Sequence, residues 1–261
     1  MGENAKILSF EKLHGLGNDF MLLDCREQAF DVSTVQITEW ANRRLGVGFD
    51  QLIMIESHGN HLNYRFFNAD GGEAEQCGNG QRAIAHYLHR QGVVVENLRL
   101  TGKGGEVVLN YQDEDHIAVT FNQTAKVEEQ TIAGVDGFFV QIGNPHWVYH
   151  EPQLTHKDLL PLSHIVANQF TSGVNFEAVK KINDQHIQLR VIERGVGETQ
   201  ACGSGACAAA IASATLLGTT TPLTVSMQGG DVKVSYDLAC DKITLTGAAR
   251  SIYQGTIKSH D

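Results

Sequence analysis

Apolar and polar positions alternate in short runs along this 261-residue chain, broken repeatedly by glycine, and few stretches keep a helical period. Residues 7–23 read as strand, turn and strand, the turn being His14-Gly15-Leu16-Gly17-Asn18-Asp19. Ser33 or Thr34 caps a helix expected to run to about Leu45, with Gly46 beyond its end. Strands follow at 52–55 and 64–67. Ala83, Ile84, Tyr87 and Leu88 recur at helical spacing, so a helix is expected after Cys77, reaching about Gln91 and stopped by Gly92. Residues 98–121 form three strand-like runs, a meander. The polar residues 122–131 read as a crossing.

A second series then begins. Residues 137–142 predict a strand, 159–168 a helix and 174–179 a strand. Ile187, Leu189 and Val191 alternate with Gln188 and Arg190, so one face of that strand is buried and Glu193 falls on the same side. A carboxylate there is costly unless it is paired or working. Residues 206–217 are small and apolar all round, as expected of a helix wrapped by sheet. Strands near 222–227, 231–236, 242–247 and 250–257 finish the chain.

The two series share a motif. Gly72-Glu73-Ala74-Glu75-Gln76-Cys77-Gly78-Asn79-Gly80 and Gly197-Glu198-Thr199-Gln200-Ala201-Cys202-Gly203-Ser204-Gly205 both read G-E-x-x-x-C-G-x-G, with the cysteines 125 positions apart. At the same offset Gly48-Phe49-Asp50 matches Gly173-Val174-Asn175, Gly104-Gly105-Glu106-Val107 matches Gly229-Gly230-Asp231-Val232, and Tyr111 matches Tyr236. Gly17-Asn18 finds Gly143-Asn144 one position out of step. Several matches in one register indicate a supersecondary unit used twice.

Each copy puts a cysteine at the start of an expected helix. Such a start offers unpaired backbone N–H groups and partial positive charge, and glycines let a ligand approach closely. The same field favours thiolate. A lone cysteine in such a turn reads as a small packed thiol. Two of them can hold a carboxylate between helix starts while one sulfur removes a Cα proton and the other returns one from the opposite face.

Composition narrows the setting. Net charge is −10 without a basic run, which argues against a nucleic-acid or anionic-membrane surface. No signal pattern opens the chain and no apolar run reaches the ~18 residues of a membrane span. Cys25, Cys77, Cys202, Cys207 and Cys240 form no C-x-x-C pair and suit a reducing, cytoplasmic setting. The pairs His58/His61, His86/His89 and His146/His150 lack a cysteine or carboxylate at a metal-site distance, so no metal is expected.

Longer signatures run through both halves: His14 to Phe20, Gly48-Phe49-Asp50-Gln51, Phe67-Asn68-Ala69-Asp70-Gly71, Gln76 to Gly80, Gly143-Asn144-Pro145-His146, Val174-Asn175-Phe176, and Glu193 to Thr199 continuing through Ala201 to Ala206. In these the chain resembles the diaminopimelate epimerases, a family of cofactor-independent amino-acid racemases and epimerases. The resemblance implies an α+β fold of two pseudo-symmetric domains, each a mixed sheet around a central helix, with the active site in the cleft between them. The expected ranges are 1–124 and 125–249, with a last strand at about 250–261 returning to the first. It implies a homodimer, no cofactor, and conversion of LL-2,6-diaminopimelate to the meso form in lysine and peptidoglycan precursor synthesis.

It also implies roles. Cys77 and Cys202 would be the two acid/base residues, with His146 and Glu193 beside them setting their protonation. Backbone amides of Gly78, Asn79, Gly203 and Ser204 would bind the reacting carboxylate. Asn18, Gln51, Asn68, Asn144, Asn175, Glu193 and Arg194 would hold the rest of the substrate. A guanidinium and several amides suit a second zwitterionic head. Three departures stand out: Gly80-Gln81-Arg82-Ala83 opens the first motif helix, Trp147 follows His146 and is expected to reshape a pocket wall, and the crossing is short. The rival readings are a racemase of proline, hydroxyproline or histidine with the same chemistry, a thiol redox protein, and a silent amino-acid-binding module.

Overall fold

A computed structural model of the chain describes residues 6–27, 30–59, 61–237 and 239–259; the first five and last two residues of the expected ranges lie outside these. The chain divides into two units, residues 1–119 with 248–261, and residues 120–247. The expected α+β character, with mixed sheets and few helices, is what the structure has.

The first unit opens with β1 (Lys6–Gly15) and β2 (Asn18–Asp24), an antiparallel pair. α1 (Thr34–Ala41) leads to β3 (Gln51–His58), parallel to β2. Ser33 caps α1 in a capping box with Gln36, as expected. The helix stops at Ala41 rather than Leu45 because the Asn42 side chain accepts the backbone N–H groups of Arg44 and Leu45, a turn that competes with helix. β4 (His61–Asn68) is antiparallel to β3, and the two-residue β5 (Glu73–Ala74) folds back on it. α2 (Gly78–Arg90) then crosses to β6 (Leu98–Gly102), parallel to β4, and β7 (Gly105–Tyr111) pairs with β6. β8 (Ile117–Asn122) follows, its residues 117–119 in the first unit and 120–122 in the second.

The second unit repeats the plan. β9 (Lys126–Ile132) and β10 (Val135–Ile142) are antiparallel, so part of the expected crossing is strand. Its residues are nearly all exposed, which leaves no apolar alternation to read. β11 (Asn144–His150) pairs with β10; a short 3-10 turn (Leu154–His156) and α3 (Leu160–Ala167) then lead to β12 (Asn175–Asn183), parallel to β11. β13 (His186–Glu193) is antiparallel to β12 and the short β14 (Gly197–Thr199) folds back on it. α4 (Gly203–Leu217) crosses to β15 (Leu223–Met227), parallel to β13. β16 (Gly230–Asp237) and β17 (Lys242–Gly247) complete the hairpins. Finally β18 (Arg250–Ser259) pairs with β1 and closes the first unit.

Each parallel pair requires a crossover rather than a hairpin, and each unit has two: a short one through α1 or α3, and a long one through the motif and α2 or α4. The long helices are the cores of their units. α4 buries Gly203, Gly205–Ala212 and Ser213, nearly all small residues, so strands β10 to β13 and β15 to β17 pack around it. Trp147 departs from expectation. It is fully buried and packs in a three-ring cluster with Tyr149 and Phe176, so it fills the core instead of lining a pocket wall. Gly137 makes room for it, since a Cβ there would stand 2.6 Å from the indole.

Candidate active site

In each unit the candidate side chains gather at one end of three neighbouring strands. Register explains this. In the first unit Phe20 opposes Gln51 and Gln51 opposes Asn68, so Asn18 and Gln51 at the starts of β2 and β3 share an edge with Asn68 at the end of antiparallel β4. In the second, His146 opposes Asn175 and Phe176 opposes Ile192, so Asn144, His146, Asn175 and Glu193 share the corresponding edge. Asn68 and Glu193, like Cys77 and Cys202, are 125 positions apart.

Both cysteines are helix N-caps. Cys77 has extended backbone (φ −146°, ψ 105°) and its Sγ accepts the Gly80 N–H at 3.4 Å; Cys202 (φ −127°, ψ 116°) accepts the Gly205 N–H at 3.4 Å. Sulfur thus takes the place usually given to a hydroxyl or carboxylate oxygen. The first-turn N–H groups, those of Gly78 and Asn79 or Gly203 and Ser204 among them, have no partner within their helix.

Around Cys77 the amides form a chain. Asn18 Oδ1 lies 3.6 Å from Cys77 Sγ and accepts Asn79 Nδ2 at 3.3 Å. Arg82, wholly buried, donates to Asn79 Oδ1 at 2.6 Å and so fixes which way that amide points. On the other side Asn18 Nδ2 donates to Asp50 Oδ2 at 3.0 Å. Arg43 then binds Asp50 and Asp19, and Lys12 binds Asp19 at 2.5 Å. Burial alone would raise the Asp19 pKa, but hydrogen bonds from Arg43 and Lys12 outweigh it and hold the carboxyl well below its usual range. Gln51 donates to Asn68 at 2.9 Å. Its Oε1 is buried with no hydrogen-bond partner among the described residues.

Around Cys202 the groups are acidic and more deeply buried. The thiol accepts or donates a bond to Ser204 Oγ at 3.5 Å. Burial, then the nearby Glu193 and Glu177 carboxyls, push its pKa well above that of an ordinary thiol. Glu193 is half-buried and accepts Thr199 Oγ1 at 2.6 Å. His146 has no solvent exposure and meets Asn144 Oδ1 through Nε2 at 3.0 Å. Asn175 accepts the Arg194 backbone N–H at 2.9 Å, and the Arg194 guanidinium, itself exposed, donates to the Ser172 carbonyl.

The sequence reading missed Glu177, whose side chain meets His146 Nδ1, and the Asp19, Asp50, Arg43 and Lys12 network. A signal existed for Glu177: it is the one carboxylate inside the apolar run Val174-Asn175-Phe176-Glu177-Ala178-Val179. Cys25 is buried, and burial with the nearby Glu56 and Asp24 raises its pKa to about 11. Among the described residues no group of three potential ligands is placed to hold a metal, and no helix is long and apolar enough to cross a membrane.

Two sheet-wrapped helices, each started by a cysteine, give the chain the architecture of the racemase and epimerase class. It has the fold of a hydroxyproline epimerase from Agrobacterium vitis (TM-score 0.70, 11% identity, covering 98% of this chain and 93% of that one). It likewise matches a phenazine biosynthesis protein of the PhzF family from Bacillus anthracis (TM-score 0.72, 16% identity, 97% and 99% covered). The sequence pattern of the diaminopimelate epimerases matches residues 10–127 and 138–252, and the diaminopimelate epimerase of Pseudomonas syringae pv. tomato is 34% identical, covering 97% of this chain and 99% of that one. That of Pseudomonas aeruginosa is 34% identical with the same coverage. The chain belongs to the diaminopimelate epimerase family, whose members are isomerases, as the resemblance indicated.

Proposed function

We propose that this protein interconverts LL- and meso-2,6-diaminopimelate by a two-thiol mechanism. The observation that carries it is the repeated cap: two cysteines, each starting the central helix of its unit beside strand ends rich in amides. One sulfur, as thiolate, takes the proton from Cα and becomes a thiol. The other, as thiol, gives its proton to the opposite face and becomes a thiolate. Atoms and charge balance without a cofactor, and the reverse reaction exchanges the two roles. The acidic, buried surroundings of Cys202 favour its protonated form at rest, which suits it to the acid role.

Backbone N–H groups of Gly78, Asn79, Gly203 and Ser204 are suited to the reacting carboxylate, whose negative charge grows as the proton leaves. His146 and Glu193 border Cys202 chemistry. Asn18, Gln51, Asn68, Asn144, Asn175 and Arg194 offer mixed donors and acceptors for the remaining groups, and the exposed guanidinium of Arg194 suits a distal carboxylate. Residues 1–124 with 250–261, and 125–249, would act as the two domains. Working thiols need a reducing compartment, so we place the enzyme in the cytoplasm, as a homodimer serving lysine and peptidoglycan precursor synthesis.

The test is Cα-deuterium incorporation in D2O under reducing conditions, with LL-diaminopimelate, proline and histidine offered to the wild type, Cys77→Ser and Cys202→Ser. Exchange with inversion on diaminopimelate alone, strongly impaired in both variants, is expected. Exchange only on another amino acid overturns the substrate, and inversion that survives either substitution undiminished overturns the mechanism.

A further inference from the structure

Glu177 takes no part in the scheme above, yet it is among the most enclosed charged side chains of the second unit. It sits on β12 with no solvent exposure, and its Oε1 lies 2.5 Å from His146 Nδ1. Its other oxygen, Oε2, is buried with no hydrogen-bond partner among the described residues. A second relation ties it to the thiol. A Cβ added to Gly205 would stand 3.0 Å from Glu177 Oε1 and 3.3 Å from Cys202 Sγ, so carboxyl and sulfur flank the same space over a glycine that has no side chain to separate them.

The His146 ring has an oxygen at each nitrogen: Glu177 Oε1 at Nδ1 and Asn144 Oδ1 at Nε2. An amide oxygen only accepts, so Nε2 carries a proton toward Asn144. The short Nδ1···Oε1 contact also needs a proton between its partners, since a bare ring nitrogen and a carboxylate would repel. Histidine and glutamate therefore hold two protons between them, and the pair is neutral as a whole. An isolated buried carboxylate would be very costly; one that shares a proton with imidazole costs less. The groups facing this cluster are His146 and the Trp147 backbone N–H from β11, Glu193 at the end of β13, and Cys202 at the start of α4.

We propose that Glu177 is a positioning residue: through the proton shared with His146 Nδ1 it fixes the ring and turns a carboxylate oxygen toward Cys202, keeping that thiol protonated until the reaction calls for its proton. The oxygen that binds the ring is also the one beside Gly205, so the negative end of a neutral pair faces the sulfur. Glu177 acts on chemistry through His146 and Cys202, without touching substrate. This rests on the reading of Cys202 as an acid, but neither readout below requires turnover, so its failure and that of the epimerase reading are distinguishable.

The experiment follows alkylation of Cys202 by iodoacetamide against pH, with site-resolved mass spectrometry, in the wild type, Glu177→Gln and Glu177→Asp. Glutamine removes the negative end, and Cys202 is expected to react about tenfold faster at pH 8, a tenfold change in thiolate matching one pKa unit. Aspartate keeps the charge and is expected to stay close to the wild-type profile. Gln and wild-type profiles that coincide overturn the proposal. A loss of pH dependence common to Gln and Asp also overturns it, since that marks packing alone. Should the glutamine variant not fold, nitrogen-15 spectra of histidine-labelled wild type decide: a proton shared by His146 Nδ1, resonating far downfield, is expected, and an unprotonated Nδ1 overturns the proposal.

Discussion

Asn18 presents its carbonyl oxygen to the sulfur of Cys77 at 3.6 Å while its amide nitrogen is held by Asp50 at 3.0 Å. An amide with both ends engaged cannot flip, so the thiol always meets an acceptor. Asp50→Asn keeps the size but replaces an acceptor-only carboxylate with a group that can also donate. The Asn18 amide loses its charged partner, worth about 1–3 kcal/mol. A roughly tenfold fall in kcat/KM is expected with the far-ultraviolet circular dichroism spectrum unchanged. An unaltered kcat/KM would mean that Asp50 does not orient the site.

Gly80 and Gly205 hold equivalent places after their cysteines but face different neighbours. A Cβ at Gly80 would stand 2.6 Å from the Phe66 ring, whereas one at Gly205 would press on Glu177 and Cys202 at 3.0 and 3.3 Å. Gly80→Ala is expected to cost about 1–3 kcal/mol of stability by overpacking. Gly205→Ala should lose activity by a larger factor than stability explains. Denaturant midpoints measured beside epimerisation rates separate the two; equal effects on both quantities in both variants would refute the distinction.

Asp19 predicts an acid-limb difference. Its folded carboxyl is held below the unfolded value of 3.8 by Arg43 and Lys12, against the opposing effect of burial. A depressed carboxyl adds stability that is fully present above the unfolded value and fades as pH falls through the folded one. Asp19→Asn should therefore lower the melting temperature by a constant amount from neutral pH down to about 5, the gap to wild type narrowing below about 4. A gap that stays constant to pH 3 would disprove the assignment.

Trp147 is a stability determinant. Trp147→Ala is expected to cost about 3–5 kcal/mol, because the ring stacks on both Tyr149 and Phe176. Gly137→Ala should also destabilise, since its new methyl would collide with the same ring. Urea titrations of both variants and their double mutant check this. In Trp147→Ala the Gly137→Ala substitution is expected to cost less than in the wild type but still to destabilise, because a Cβ there also stands 2.7 Å from the Val148 carbonyl oxygen; fully additive losses would contradict the shared space.

What could be read from the chain was whatever repeats or alternates. Cys77 and Cys202 announce themselves because a rare motif occurs twice in register, and α4 because a run of alanines has no polar face. β11 went unread: Asn144-Pro145-His146 looks like a turn, and His146 is buried only because Glu177 answers it from the neighbouring strand. β9 gave no signal for the opposite reason, its side chains being solvated on both faces. Pairing partners such as Asn18 with Asp50, 32 positions apart, come from register between parallel strands, and no local pattern encodes that.

The pairing of β18 with β1 sets an order of assembly. Residues 120–247 form a contiguous unit, able to complete its sheet as soon as β17 is made. The unit begun first must wait with β1 unpaired on that side until Arg250–Ser259 arrives. During synthesis, then, the half that starts earlier finishes later, with an open strand edge for the interval. Nascent chains stalled on the ribosome just after β17 should show α4 protected from proteolysis while β1 is still cleaved, and equal protection of both would rule the sequence of events out.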